Sequence, residues 1–443
     1  MSAHDTTAGP RRANADALPS EAVPSEAVLS ELDTPQGRAD PYPVYARLRE
    51  LAPVYCAQAG PVYLTRYDDC VAVIRDPSMR AQNAQWMDTV RPGWRDHPGM
   101  RITTESFLFR DPPDHTRLRR LVSATFTQRQ AESLRDFVAD RIERVLDLVA
   151  DAGGDGGVVD LHEILAAMLP IAVVGKVIGV PEADQPLLRE PLEGLRLAVD
   201  GSRDDATVEV IDRAATALLA YFADLVARRR RDPRDDLASA LAARGDFSGE
   251  GAAGGHQLTG GHQLTGGHQL TADELLQALI LIFSAGIESM VDLLLNGVAA
   301  LFAEPSQADL LRAAPALAAR AVEETLRFDA PVQAMGRITA ADVVIGGVRV
   351  PAGRLVLLML GAANRDPARF AVPDTFDLRR TGVTPLSFGG GIHHCLGAPL
   401  ARLQAAMFLP AVLARFPGLA PAGPPARRGL VLRGFARFPV TIR

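Results

Sequence analysis

The sequence predicts a mostly α fold with small β-sheets, and three observations carry that expectation. Apolar residues recur at helical spacing through 131–151, 161–179 and 207–231, which makes the middle third of the chain helical. One helical pattern then runs from about Ala272 to Ala303, on the order of 45 Å at ~1.5 Å per residue. Short β-like runs stand at 54–56 and 62–66, and again at 343–350, 354–358, 431–435 and 439–442, each sized for a small sheet.

Composition sets outer bounds. The chain has 443 residues, 47% of them hydrophobic and 23% charged, with a net charge of −6. That is ordinary for a soluble globular protein, and the acidic balance argues against a nucleic-acid-binding surface. Length by itself would suit about three domains of roughly 150 residues, yet leaves one large helical domain open. Cys56, Cys70 and Cys395 are scattered and odd in number, so neither a disulfide framework nor a zinc site is indicated, and a reducing cytoplasm is expected. The first 35 residues hold no signal-type apolar core and no membrane anchor.

Taken in order, residues 1–36 are rich in Ala, Ser, Pro and Glu and repeat Pro-Ser-Glu-Ala-Val at Pro19 and Pro24, which predicts a flexible leader. An amphipathic helix opens at Asp40, and 67–75 reads as another. The segment 81–109 lacks steady periodicity but carries Trp86, Met87, Trp94 and Met100, aromatics and thioethers that either line a pocket or tuck into the core. The prolines at 112 and 113 pre-set a helix on which His115 and Arg119 stand four residues apart on one face. Such a cationic pair suits the gripping of two carboxylates, although a solvated basic face is the commoner meaning. Arg228–Arg231 reads as a helix C-terminus set favourably against its dipole, and 200–205 as a polar loop.

Gly-Gly-His-Gln-Leu-Thr then occurs three times in tandem over 254–271. The histidines at 256, 262 and 268 bring no acidic or thiol co-ligand with them, so a flexible insertion is expected rather than a metal site. Thr271-Ala272-Asp273-Glu274 is a capping box that starts the long helix, and Glu288 with Asp292 in its apolar middle argues against a membrane span. Ala285 and Gly286, with Glu288 and Ser289 after them, would make a groove for a flat cofactor and a diatomic ligand with a proton source beside it. Glu324 and Arg327 share a helix face at i, i+3, a pair that is by itself routine.

Cys395 closes a glycine-rich loop beginning at Phe388 and stands immediately before a helical run through Ala398, Leu400 and Leu403. The first free N–H groups of a helix favour thiolate over thiol there, which suits a metal ligand or a nucleophile; the plain alternative is a small hydrophobe in a turn.

Phe388, Gly391, His393, Cys395 and Gly397 together match the pattern F-x-x-G-x-[HR]-x-C-x-G. This resembles the haem-ligand loop of the cytochrome P-450 family, and further motifs occur in the family's order from about Asp40 to Arg443. The resemblance implies one haem domain over 37–443, with haem b (iron protoporphyrin IX) between the long central helix and the cysteine-loop helix. Cys395 would be the axial iron ligand, Phe388 a shield over its sulfur, and Gly391 and Gly397 part of the haem-binding loop. His115, Arg119, Arg337 and His393 would hold the propionates. Ala285, Gly286, Glu288 and Ser289 match A-G-x-[ED]-T, which implies haem contact for the first two and proton delivery for the last two; serine keeps the hydroxyl of the usual threonine but loses the methyl that fixes its rotamer. Glu324 and Arg327 match a buried E-x-x-R that ties the haem region to an arginine of the segment 364–380. Trp86, Met87, Trp94, Val332, Gln333, Ala334 and Phe435 correspond to substrate-pocket positions.

The resemblance thus implies a haem-thiolate monooxygenase, cytoplasmic and monomeric, with no membrane or nucleic-acid partner. It would oxidise a small organic molecule, a secondary-metabolite intermediate, with electrons from a separate ferredoxin and ferredoxin reductase, since no G-x-G-x-x-G stands in a strand-to-helix context. A peroxide-driven haem oxygenase and a non-catalytic haem-binding recruitment module are the competing classes. The acid–alcohol pair Glu288 and Ser289 disfavours the first, and the intact Glu324 and Arg327 beside it disfavour the second.

Overall fold

The structure, a computed structural model, describes residues 22–58, 60–154, 156–200, 204–244 and 270–442. Its axis is the helix Ala272–Ala303. Thr271 opens this helix as the capping box predicts: its hydroxyl accepts the Glu274 N–H at 3.1 Å, and the Glu274 carboxylate accepts the Thr271 N–H at 3.2 Å. Leu275, Leu279, Phe283, Val291, Leu294, Leu295 and Val298 are fully buried on it. The helices Leu161–Ile178, Asp205–Arg231, Ala318–Phe328 and Ala398–Arg415 pack around it. The central helix and Leu161–Ile178 are long and apolar enough to cross a membrane, but both lie mostly inside the protein core.

The middle third is helical, with two refinements. The run expected over 131–151 breaks at Leu134 into Gln128–Ser133 and Arg135–Gly153, the first capped by the Thr127 side chain. A further helix, Gln185–Asp200, is not signalled by the sequence, because Pro186 and Pro191 discourage a helical reading. Burial of Leu188, Leu192 and Leu195 along one face outweighs that cost. The aperiodic segment 81–109 resolves into the short helices Ala84–Val90 and Pro98–Thr104.

The leader needs correction. Residues 22–36, expected to be flexible, contain the helix Ala22–Ser30, a 3₁₀ turn at Glu31–Asp33 and the start of the helix Pro35–Ala39. Leu32 is buried, and Val28 and Leu29 pack with it against Tyr42 and Tyr45, an anchor that composition does not reveal. Residues 1–21 and all of the tandem repeat except Leu270 and Thr271 lie outside the described residues.

The β-structure is small, as expected. Five short strands run in the order Val54–Cys56, Val62–Leu64, Leu355–Leu358, Met335–Thr339, Met79–Arg80, with only the second and third parallel. Val159–Asp160, Pro439–Ile442 and Leu419–Pro421 form a second sheet, and Ala426–Arg428 pairs with Gly434–Arg437. The strand expected over 431–435 is therefore shifted toward the C-terminus. Buried Asp329 ties this region to the start of the chain, accepting from the Tyr42 hydroxyl at 2.7 Å, Arg427 at 2.7 Å and Arg433 at 2.8 Å. Against the burial that would raise it, the two guanidinium groups hold the Asp329 carboxyl well below the usual carboxylate range.

Candidate active site

The cysteine loop is built by two left-handed glycines and one backbone bond. Gly389 and Gly391 have φ of +63° and +60°, and the Cys395 N–H donates to the Phe388 carbonyl at 2.8 Å, closing the turn. A Cβ on Gly391 would come within 2.7 Å of the Ile74 carbonyl oxygen, so the glycine is required by the turn and by this neighbouring backbone. A Cβ on Gly397, by contrast, would meet nothing within 4 Å; the loop is open on that side. Arg402 lies over the Phe388 ring at 4.6 Å and pairs with Glu323.

Cys395 is exposed as a residue, yet the protonation of its thiol is that of a crowded group. Burial of the sulfur among surrounding protein pushes its pKa up, against the N–H groups of Gly397 and Ala398 and the charges of Arg119 and Arg402. The helix start and nearby cations therefore act as the sequence suggests, but in the protein alone desolvation prevails and the thiol form is favoured. A metal cation would reverse that balance.

The four expected anion-holding residues converge. His115 is 1% exposed, and neither of its ring nitrogens has a hydrogen-bond partner among the described residues. The His393 ring lies 4.2 Å from it, centroid to centroid. Arg119 donates to the His394 carbonyl, next to the cysteine. Buried Arg337 makes its one described side-chain hydrogen bond, at 2.8 Å, to the carbonyl of its own neighbour Gly336. Burial pushes the His393 pKa down to about 3, with Arg337, His115 and Arg119 adding repulsion. Four donors gathered with two ring nitrogens orphaned, two of them the cations Arg119 and Arg337, make the donor set that a group carrying two carboxylates would satisfy. Haem fits these residues.

On the central helix the structure separates residues that the sequence groups. Ala285 is exposed midway along a mostly buried helix that packs against the cysteine-loop helix, Ala398–Arg415. Gly286 also serves helix packing, because a Cβ there would fall 2.8 Å from Val174. The Ser289 hydroxyl donates to the Ala285 carbonyl at 2.8 Å, a bond back into its own helix. Glu288 is paired with Arg428 at 2.5 Å, and the same guanidinium nitrogen reaches Asp292 at 3.2 Å.

The support beneath the loop is continuous. Glu324 and Arg327, 1% and 0% exposed, form two 2.8 Å bonds. Arg380 and the Asp377 N–H also reach Glu324, at 3.2 and 3.0 Å, supplying the expected arginine of the segment 364–380. Arg327 donates to the Asn364 carbonyl, and the Asn364 side chain grips the Leu386 N–H at 2.8 Å and the Ser387 hydroxyl at 3.0 Å. Phe388 is the next residue.

Several expected pocket residues lie elsewhere. Trp94 is 1% exposed, and its indole N–H is bonded to Asp88, so it is core. Gln333 points inward to the Tyr42 hydroxyl and the Ala330 carbonyl. Phe435 sits in a strand, fully buried between Arg427 and Phe438, and does not project from a turn. Position along the chain, which carries the expectation for all three, does not say which way a side chain turns. Met87 is buried, while Trp86, Val332 and Ala334 are half-buried, with Val332 packed on the five-stranded sheet. Asp212 clamps this wall by accepting the Gly99 N–H at 3.0 Å and bonding His97 at 2.8 Å. Arg428, Asp292 and Arg402 carry no local signal of these roles; only their distant partners reveal them.

Comparison with known proteins gives a consistent answer. Residues 257–426 match the family model described as cytochrome P-450. The chain is 37% identical over 413 residues to a vitamin D(3) 25-hydroxylase of Pseudonocardia autotrophica, covering 91% of this chain and 94% of that protein. It is 35% identical over 429 residues to the 6-deoxyerythronolide B hydroxylase of Saccharopolyspora erythraea, covering 94% and 99%. Among solved structures, ligand-free CYP164A2 of Mycobacterium smegmatis superposes with a TM-score of 0.80 at 36% identity, over 94% of this chain and all of that one.

Proposed function

The chain belongs to the cytochrome P-450 family, an oxidoreductase with haem b as its cofactor, and from that premise we propose how its own residues run the monooxygenase reaction. Bound haem supplies the iron that activates dioxygen for insertion of one oxygen atom into the substrate. Cys395 holds that iron through its sulfur, and the loop bond from the Cys395 N–H to the Phe388 carbonyl keeps the sulfur aimed. His115, Arg119, Arg337 and His393 bind the two propionates; the orphaned nitrogens of His115 are the single observation that best supports this reading. Glu288 brings protons from the Arg428 side of the central helix, and Ser289 passes them on when its hydroxyl rotates away from the Ala285 carbonyl. The substrate is a small organic molecule, a secondary-metabolite intermediate, a reading supported by the relative named for hydroxylating 6-deoxyerythronolide B. The electrons come from a separate ferredoxin and its reductase.

The carbon monoxide difference spectrum of the reduced holoprotein tests the ligand assignment. A thiolate-type Soret band is expected, and a histidine-type band would overturn it. For the proton path, Glu288→Gln should lower the rate of product formation by about 10²-fold or more, as expected when a positioned proton donor is lost, and lower the product formed per dioxygen consumed, with haem content unchanged. Full product yield in that variant would rule Glu288 out.

A further inference from the structure

We propose that Glu288, Asp292 and Arg428 act as one proton-holding unit, in which two carboxylates share a single guanidinium and Asp292 keeps a proton in reserve behind Glu288. The inference rests on the reading of Glu288 as a proton donor to the site, and adds a second acid that the family motif does not contain.

The geometry is specific. Glu288 and Asp292 stand one helical turn apart, and both accept from the same terminal nitrogen of Arg428, Glu288 at 2.5 Å and Asp292 at 3.2 Å. Arg428 is held in place by its strand and by its neighbour Arg427, which is committed to Asn296 and Asp329 at 2.7 Å each. Asp292 is 1% exposed, and its second carboxylate oxygen is buried without a partner among the described residues. The backbone of Gly434 presses so closely that a Cβ there would fall 1.6 Å from Asp292. Two carboxylates in so confined a place cannot both stay ionised on one guanidinium at low cost.

The remaining charged groups around the pair do not remove the imbalance. Arg196, from the helix Gln185–Asp200, also attracts Asp292, though less than Arg428 does. His162, from the helix Leu161–Ile178, has a buried Nε2 without a partner among the described residues; burial and Arg428 push its pKa down, against Glu288 and Asp160, with Arg189 adding repulsion, so it stays neutral. Burial pushes the Asp292 pKa up to about 7; Arg428 opposes, Glu288 adds, and Arg196 opposes weakly. Asp292 is therefore the group that keeps a proton near neutrality. The Asp292 carboxyl gives its proton through water to Glu288 and becomes a carboxylate, taking the share of Arg428 that Glu288 then releases, and Glu288 passes that proton on toward the site. A proton from solvent then restores Asp292.

Infrared spectroscopy of the resting holoprotein near neutral pH tests this without turnover. The wild type should show a protonated-carboxyl C=O stretch that is lost completely in Asp292→Asn. It should weaken in Glu288→Gln, because Arg428 then serves Asp292 alone while burial remains. Absence of the band in the wild type, or an unchanged band in Glu288→Gln, would overturn the shared unit. Thermal stability supplies a second reading. Because the folded state keeps a proton that the unfolded chain releases, the wild type should lose stability relative to Asp292→Asn as pH rises from the ordinary aspartate range to about 7, and parallel curves would overturn the reserve. Product yield of Glu288→Gln reports on the relay separately, so the two ideas can fail independently.

Discussion

Replacing Cys395 with alanine is expected to abolish turnover and the thiolate-type carbon monoxide band while leaving the fold standing. Cys395 is an exposed residue outside the core clusters, and the bond that closes the loop comes from its backbone, which alanine keeps. Stability of the protein without haem should therefore change by no more than about 0.5 kcal/mol. Function should change wholly, since no other thiol is placed to substitute: Cys70 is fully buried with its pKa pushed up by burial, and Cys56 sits in a strand of the five-stranded sheet. Circular dichroism melting, haem content and product formation measured on one preparation check this. A variant retaining the thiolate-type band would show that Cys395 is not the ligand.

The second large effect concerns stability. Glu324→Ala leaves Arg327, which is 0% exposed, without its carboxylate and removes the acceptor of Arg380 and of the Asp377 N–H. Breaking a buried pair in this way costs about 3–5 kcal/mol, a large part of a marginal total. The damage has a direction, because Arg327 holds the Asn364 carbonyl, and Asn364 holds Leu386 and Ser387, the two residues before Phe388. Haem content should fall with stability, as read from Soret absorbance per protein and from the denaturation midpoint. Arg327→Ala should have a similar effect, and the double variant should cost much less than the sum of the two, since both remove one interaction. Simple additivity would mean that the two residues act separately.

Much of the site is legible in the chain because its signals are local. The loop from Phe388 to Gly397 is specified within ten residues by glycines with the required backbone freedom and by a short backbone bond. The capping box at Thr271 and Glu274 and the apolar run behind it are equally local, and the central helix has the expected ends. Recognition of the cationic cradle needs family resemblance, since His115, Arg119, Arg337 and His393 are spread over nearly 280 positions.

Gln333, Phe435 and Trp94 depart from expectation for one shared reason. Their place along an element is visible in the sequence, whereas their roles depend on which neighbour occupies the facing side. Tyr42 draws Gln333 inward, Arg427 and Phe438 enclose Phe435, and Asp88 holds Trp94. Residues 22–36 of the leader depart similarly, because their few apolar residues suffice once Tyr42 and Tyr45 offer a surface.

The sequence by itself determined the helical class, the central helix, the cysteine loop and the acid–alcohol pair, because each rests on periodicity or spacing within a few turns of chain. Only the tertiary structure decided that Glu288 is held by Arg428, that Asp292 shares that guanidinium, and that Glu324 reaches the loop through Arg327 and Asn364. Arg428 is 140 positions from Glu288, and no local pattern encodes a contact at that distance. Such pairs form where packed helices and a strand exclude water, and there burial turns an ordinary carboxylate into a proton store.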